Sequence, residues 1–322
     1  MTPSRLRTLA TAFGGLITIA CLVALVTVLA QQDTWSALVG VIHDHWGVLV
    51  GVVGVYVVLV GLQALAWWRL MQATTGTARC AASVGIFALT QVAKYLPGNV
   101  GHFVFRYALT RATGAGRAAT LTATALEPWL LLLAALVGLV ALGNVDWPTL
   151  WGWSPWWGWV LPLLALVGAV VGLMWVRGRG WIDGLNPAGL LLPWALQLTF
   201  VLASAGLFVQ VLALHQPTPA PPVTEVLAAA VLAWLVGFVT PGSPGGLGVR
   251  EAVLGVALAA WIDPATAVAA VAVFRGVTVL GDGVVFGAGA VWWWLGGRRA
   301  LADYARHLDP DADADPDADE DG

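Results

Sequence analysis

Two stretches of this chain set cations beside broken backbone. The first runs Lys94-Tyr95-Leu96-Pro97-Gly98-Asn99-Val100-Gly101-His102 and leads to Arg106; the second runs from Thr240 through Pro241, Gly242, Ser243, Pro244, Gly245, Gly246, Leu247 and Gly248 to Arg250 and Glu251. Proline lacks a backbone N–H and glycine loses the most backbone entropy on ordering, so a helix stops at each stretch and restarts after it. A restarted helix presents unpaired N–H groups, which suit an anion such as phosphate. Arg250 stands in the first turn after the second break, where its planar fork and the backbone together can grip a phosphate. His102 and Arg106 are four residues apart and share a helix face, and Lys94 lies one turn before Pro97. The candidate binding residues are therefore Lys94, Asn99, His102, Arg106, Gly245, Gly246 and Arg250.

A second group consists of ionisable residues inside apolar sequence: Glu127, Glu251, Arg275 and Asp282. A charge at membrane depth costs a few kcal/mol and calls for a partner, water or ligand. Glu127 and Arg275 each lie about ten residues into an apolar stretch, which at ~1.5 Å per residue brings both near the middle of a bilayer, where they can pair. Glu251 has arginine neighbours, and Asp282 follows Arg275 by two helical turns. Two readings stay open: a structural set of ion pairs, or a gating set that exchanges partners around a ligand.

The elements that must position these residues are membrane helices. The chain has 322 residues, 59% of them apolar and only 10% charged, with a mean hydropathy of +0.82, which excludes a soluble domain of this size. Apolar windows long enough for ~30 Å of hydrocarbon occur at Leu9 to Ala30, Trp46 to Ala66, Ala118 to Leu142, Trp159 to Val176, Gly189 to Leu214 and Ala265 to Leu295. Two shorter apolar pieces, Ala81 to Leu96 and Val223 to Val239, run directly into the breaks. Arg5 and Arg7 precede the first window, whose length fits a retained signal anchor.

Positive charge marks cytoplasmic loops. If both broken segments are re-entrant hairpins, the external loops Gln31 to His45, Gly143 to Trp157 and His215 to Pro222 contain no lysine or arginine; if they cross fully, Arg106, Arg111, Arg117, Arg177 and Arg179 face outward. The re-entrant arrangement is the expectation, with the two hairpins entering from opposite faces. The predicted fold is an all-α polytopic membrane protein of about six full transmembrane helices plus two re-entrant helical hairpins in an inverted repeat. Residues 1–45 form a first helix and external loop, and residues 46–300 the membrane domain, with halves at about 46–142 and 189–297. Residues 301–322 form an acidic tail, where half of the eighteen acidic side chains fall from Asp303 onward. Such a composition buries too little apolar surface to fold. Tryptophans at positions 147 to 159 and at Trp67, Trp68 and Trp292 to Trp294 read as interface anchors.

Other chemistries find little support. Cys21 and Cys80 make neither a disulfide framework nor a metal cluster. His43-Asp44-His45 has no further ligand cluster, so no metal and no cofactor is expected. The glycine run 245–248 lacks the Lys-Ser/Thr of a phosphate loop, and Ser243 has no paired base, so an enzyme is not expected.

The two motifs, with Glu127 between them and Pro244-Gly245-Gly246-Leu247-Gly248-Val249-Arg250-Glu251 the more specific, resemble the membrane region of the lysylphosphatidylglycerol synthase and flippase family over roughly Trp46 to Gly297. That resemblance implies a polytopic protein of the plasma membrane that moves a lipid between leaflets; the well-understood members translocate an aminoacylated phospholipid. No counterpart of the aminoacyl-transferase domain is expected here, so the cargo is open to anionic phospholipids and polyprenyl-phosphate-linked lipids. The partners implied are membrane lipids with an anionic headgroup, not nucleic acid, and both termini are expected in the cytoplasm. Two other functions stay open: an ion-coupled secondary transporter of a small solute, and a noncatalytic partner of a glycosyltransferase or lipid-modifying enzyme.

Overall fold

A computed structural model describes residues 32–76, 78–96, 100–142, 187–216, 219–240, 243–259, 261–297 and 299. The expected spans at 9–30 and 159–176, the acidic tail and Asn99 lie outside the described residues, as does Cys21. The described elements are all helical. In chain order they are α1 (Gln32–Thr75), α2 (Cys80–Thr90), a 3-10 turn (Gln91–Tyr95), α3 (Gly101–Arg111) and α4 (Arg117–Ala141). After residue 186 follow a 3-10 turn (Pro187–Leu190), α5 (Leu191–Ala213), α6 (Val223–Val239), a 3-10 turn (Pro244–Gly246), α7 (Val249–Leu258) and α8 (Pro264–Trp292) with a terminal π turn (Trp293–Gly297).

Four of these stretches are long and apolar enough to cross a membrane: Leu38–Thr75, Arg117–Ala141, Ala188–Ala213 and Pro264–Gly297. The protein is an integral membrane protein. Three of the four coincide with predicted windows to within a residue or two at each end. The fourth corrects the sequence reading, because Gln31 to His45 was expected as an external loop and α1 already begins at Gln32. Its 44 residues reach about 66 Å, twice the hydrocarbon thickness. The helix breaks its regular geometry at His45 (φ −123°, ψ 19°), immediately before the apolar run that starts at Trp46.

Each half reads long, short, short, long. α2 and α3 have 11 residues each and α7 has 10, about 15 to 17 Å apiece, too short to cross alone. α2 packs against α3, and α6 against α7. Both breaks start the same way. Leu96 precedes Pro97 and is extended (φ −71°, ψ 150°), and Thr240 precedes Pro241 and is extended (φ −73°, ψ 114°), because the proline ring excludes the helical region for the residue before it. On the far side of the first break, the chain returns so tightly that a β-carbon on Gly101 would sit 2.5 Å from the Ala93 carbonyl oxygen.

α1 is the centre of the bundle, packed on α8, α5, α2 and α4. The core runs through Val60, Trp67, Phe87, Phe208, Val211 and Leu258, all at 2% exposure or less. Outward faces keep large apolar side chains such as Val55, Val58, Leu121, Leu280 and Val284, as a lipid-facing surface requires. Asp263 caps α8 by accepting from the Thr266 N–H at 2.9 Å, with Pro264 at the first helical position.

Candidate functional site

The two breaks meet. The 3-10 turn 91–95 touches the 3-10 turn 244–246, and the Tyr95 ring fills the space that a β-carbon on Gly245 would occupy. α8 holds both of them. Near its middle, Arg275 donates from Nη2 to the Gly245 carbonyl at 2.8 Å and sets Nε 3.1 Å from Glu251 Oε1 on α7. Seven residues on, the fully buried Asp282 accepts from three side chains of the other break: Lys94 Nζ at 2.7 Å, Tyr95 Oη at 2.6 Å and Gln91 Nε2 at 3.2 Å.

The first arginine is locked away. Arg106 on α3 has no exposed surface and donates to both carboxylate oxygens of Glu127 on α4. Its guanidinium carbon lies 4.0 Å from the centre of the Phe87 ring and 5.2 Å from that of Trp67, so aromatic faces cover the charge. The expected Glu127–Arg275 pair therefore does not form. Glu127 finds its arginine within its own half, and Arg275 takes Glu251 instead. Asp282 likewise pairs with Lys94 rather than with Arg275, which points toward the second break. His102 is buried one turn from Arg106 and stacks near Phe103, with ring centres 3.9 Å apart.

The second arginine stands apart. Arg250 has no carboxylate within ion-pair distance among the described residues, and its Nε has no hydrogen-bond partner. Its side chain threads a slot between two glycines: a β-carbon on Gly246 would fall 2.5 Å from Arg250 Nε, and one on Gly237 2.5 Å from its Cγ. Gly245, Gly246 and Gly248 all have positive φ (58°, 75° and 82°), which glycine adopts without the strain of a β-carbon. Ser243 closes this turn by donating to the Leu247 carbonyl at 2.8 Å. The guanidinium ends 5.5 Å from the Trp234 ring centre, and Trp234 stacks on Phe238. α7 then starts at Val249 without a side-chain cap, so its positive end lies beside Arg250.

Two adjoining cavities, of about 50 and 60 Å³, share Tyr56, Phe200, Trp234, Arg250, Arg275 and Thr278 in their walls. The larger also reaches Lys94, Tyr95, His102, Arg106, Glu127 and Gly245. At ~10–15 Å³ per water, each holds a few waters and no more. Of the sequence-predicted residues, all but Asn99 and Asp282 among the eleven reach one of these walls or abut Arg250 directly. Asp282 sits behind its three donors. Sequence reasoning missed Tyr56, Gln91, Tyr95 and Trp234. Tyr95 lay inside the first motif and Tyr56 is one of only four tyrosines, a rare polar tip in an aliphatic span; Gln91 and Trp234 gave no signal that separates them from other residues in apolar helices.

Around these cavities stand four cations, Lys94, Arg106, Arg250 and Arg275, and three of them are paired: Lys94 with Asp282, Arg106 with Glu127 and Arg275 with Glu251. Arg250 is the one of the four cations with no carboxylate within ion-pair distance among the described residues. Residues 9–285 match the family model described as the lysylphosphatidylglycerol synthase TM region. No curated protein matches the chain. The match runs from before α1 into α8 and takes in both breaks and every charged pair of the site, so the chain belongs to the family of the lysylphosphatidylglycerol synthase transmembrane region.

Proposed function

We propose that the protein is a lipid carrier of the plasma membrane, which moves an anionic phospholipid or a polyprenyl-phosphate-linked lipid between leaflets. The observation that carries this reading is Arg250: a cation at the junction of the two breaks, facing a cavity, with its three cationic neighbours already matched by carboxylates. Arg250 is only partly buried, but its Nε is buried without a partner, which is costly, and a phosphate oxygen supplies the missing one. Beside it the uncapped start of α7 adds favourable dipole. The acyl chains would stay in the bilayer, against the apolar outer faces.

In this reading the short helix pairs α2/α3 and α6/α7 are hairpins that enter from opposite leaflets and touch at their tips, and the two halves are an inverted repeat. Both termini are cytoplasmic, on the distribution of arginines. The present cavities admit water but no headgroup, which fits a closed state of such a carrier; on this reading passage requires the tips to part on one side at a time. The reading is of a carrier; the Ser243 hydroxyl in the second break is engaged with the Leu247 carbonyl.

Reconstitution tests this directly. In vesicles with fluorescent phosphatidylglycerol, the protein should speed leaflet transfer over protein-free vesicles, and Arg250→Ala should slow it by about tenfold or more, the value of a charge-assisted bond. Transfer equal to that of empty vesicles, for both phosphatidylglycerol and a polyprenyl phosphate, overturns the carrier reading. An unaltered rate in Arg250→Ala removes that residue's role.

A further inference from the structure

The three carboxylates of the site are held in different ways. Glu127 meets a guanidinium with both oxygens in a buried pair, and Glu251 also faces a guanidinium. Arginine does not lose its proton in proteins, and its fork fixes geometry. Asp282 instead faces a lysine, a compact ammonium on a flexible stem that can swing to another anion. All three of its donors come from one five-residue turn, 91–95, so this single carboxylate on α8 secures the first break. Asp282 has no exposure, but Gln91, Lys94 and Tyr95 all line the cavity that Arg250 also lines.

We propose, resting on the lipid-carrier reading above, that Asp282 is the proton-coupling group of the transporter: it takes one proton as Lys94 leaves it for the lipid phosphate. The proton comes from bulk solvent and is relayed by cavity water, so no hydroxide is left in the site. Tyr95 Oη, which donates to Asp282 Oδ2 and borders the cavity, can pass its own proton to the carboxylate and recover one from water, so the phenol ends unchanged. Lys94 then has lost its carboxylate. Glu127 and Glu251 are engaged, so a phosphate between Lys94 and Arg250 is the anion left to meet it. The charged and titratable groups facing Asp282 are Lys94 and Tyr95 from the first break and Tyr56 from α1, and beside these in turn stand Arg250 from α7 and Arg275 from its own helix. Three cations in that list favour replacing a lost negative charge with another.

The charge balance fixes the stoichiometry. The empty site carries four cations and three carboxylates. With Asp282 protonated and one monoanionic phosphate bound, it carries the same net charge. One proton therefore moves with one phosphate monoanion in the same direction, and the step is electroneutral. Across a membrane with an acidic exterior it carries lipid from the outer to the inner leaflet, and membrane voltage does not drive it.

The test uses vesicles of the full-length protein with fluorescent phosphatidylglycerol, under an imposed pH gradient with voltage clamped at zero, and separately under voltage without a pH gradient. The expected result is accumulation of the probe in the leaflet on the alkaline side, approaching tenfold per pH unit, with proton movement reported by a trapped dye and no response to voltage alone. Asp282→Asn, which copies the protonated shape, should let the probe equilibrate but not accumulate. Wild-type transfer that ends at the same leaflet ratio under every gradient overturns the coupling and leaves the carrier reading intact. Accumulation undiminished in Asp282→Asn also overturns it, and no transfer under any condition overturns both readings. If Asp282→Asn does not fold, the wild-type gradient response decides alone.

Discussion

The two breaks share a grammar and differ in what they leave unsatisfied. Each begins with an extended residue before proline, each ends in a restarted helix with an arginine in its first turns, and each is gripped by α8. In the first, every cation is matched: Arg106 lies under aromatic rings with Glu127, and Lys94 is held on Asp282. In the second, Arg275 and Glu251 match one another and Arg250 remains. Similar sequence signals thus separate into a sealed strut and an open seat. The separation arises from neighbours far along the chain, because Glu127 and Asp282 come from helices that neither motif contains.

Breaking the strut should give the largest effect. Arg106→Leu leaves Glu127 buried without its partner, and such a loss costs about 3–5 kcal/mol. Thermal unfolding in detergent should show a large drop for Arg106→Leu and for Glu127→Leu, with much of it recovered in the double variant, since two apolar residues then fill the site. Additive losses in the double variant would mean that the pair is not one unit. Arg250→Leu should behave in the opposite way. It removes a partly buried cation that has no carboxylate, so stability should hold or rise by up to about 1 kcal/mol while lipid transfer falls. If Arg106→Leu and Arg250→Leu lower the melting temperature equally, the contrast between strut and seat is lost.

The sequence made much of this legible, for reasons that can be named. Bilayer thickness dictates the length of an apolar run, so Ala118 to Leu142 and Ala265 to Leu295 fell close to α4 and α8. Proline and glycine act on the local backbone, so both breaks were visible without any tertiary information. Val223 to Val239 matched α6 end to end. Pairing was not legible. Depth placed Glu127 and Arg275 at one level, but depth says nothing about which helices touch, and Arg106 was the nearer partner on the adjacent α3. Likewise α1 runs through a segment read as loop, because His43, Asp44 and Trp46 are tolerated on an exposed helical surface.

Glycine at 246 offers a finer probe of the seat. Its φ of 75° is unfavourable for alanine by about 1–2 kcal/mol, and the added β-carbon would meet Arg250 Nε at 2.5 Å. Gly246→Ala should therefore lower stability modestly and also displace the guanidinium, cutting lipid transfer by more than its effect on folding explains. Gly116, which has open space around it and negative φ, supplies the control: Gly116→Ala should leave transfer unchanged. Equal transfer in the two variants would separate the glycine slot from the position of Arg250.

The smallest effect concerns the frame that serves both breaks. Asp263 is exposed at the start of α8, and its hydrogen bonds to Thr266 hold its carboxyl below the ordinary range for an aspartate. A group whose folded value is depressed stabilises the fold above its unfolded value and loses that contribution as pH falls through the folded value. Asp263→Ala should thus cost about 1 kcal/mol near neutral pH, the usual loss of a helix cap, and less under acid conditions where the wild-type carboxyl is itself protonated. Asp263→Asn, which keeps a cap acceptor without a charge, should recover most of the loss and flatten the pH dependence. Because Arg275 and Asp282 lie on the same helix, fraying at its start should touch both breaks alike; a pH-sensitive change confined to one of them would show that the breaks are held independently and that α8 is not their common support.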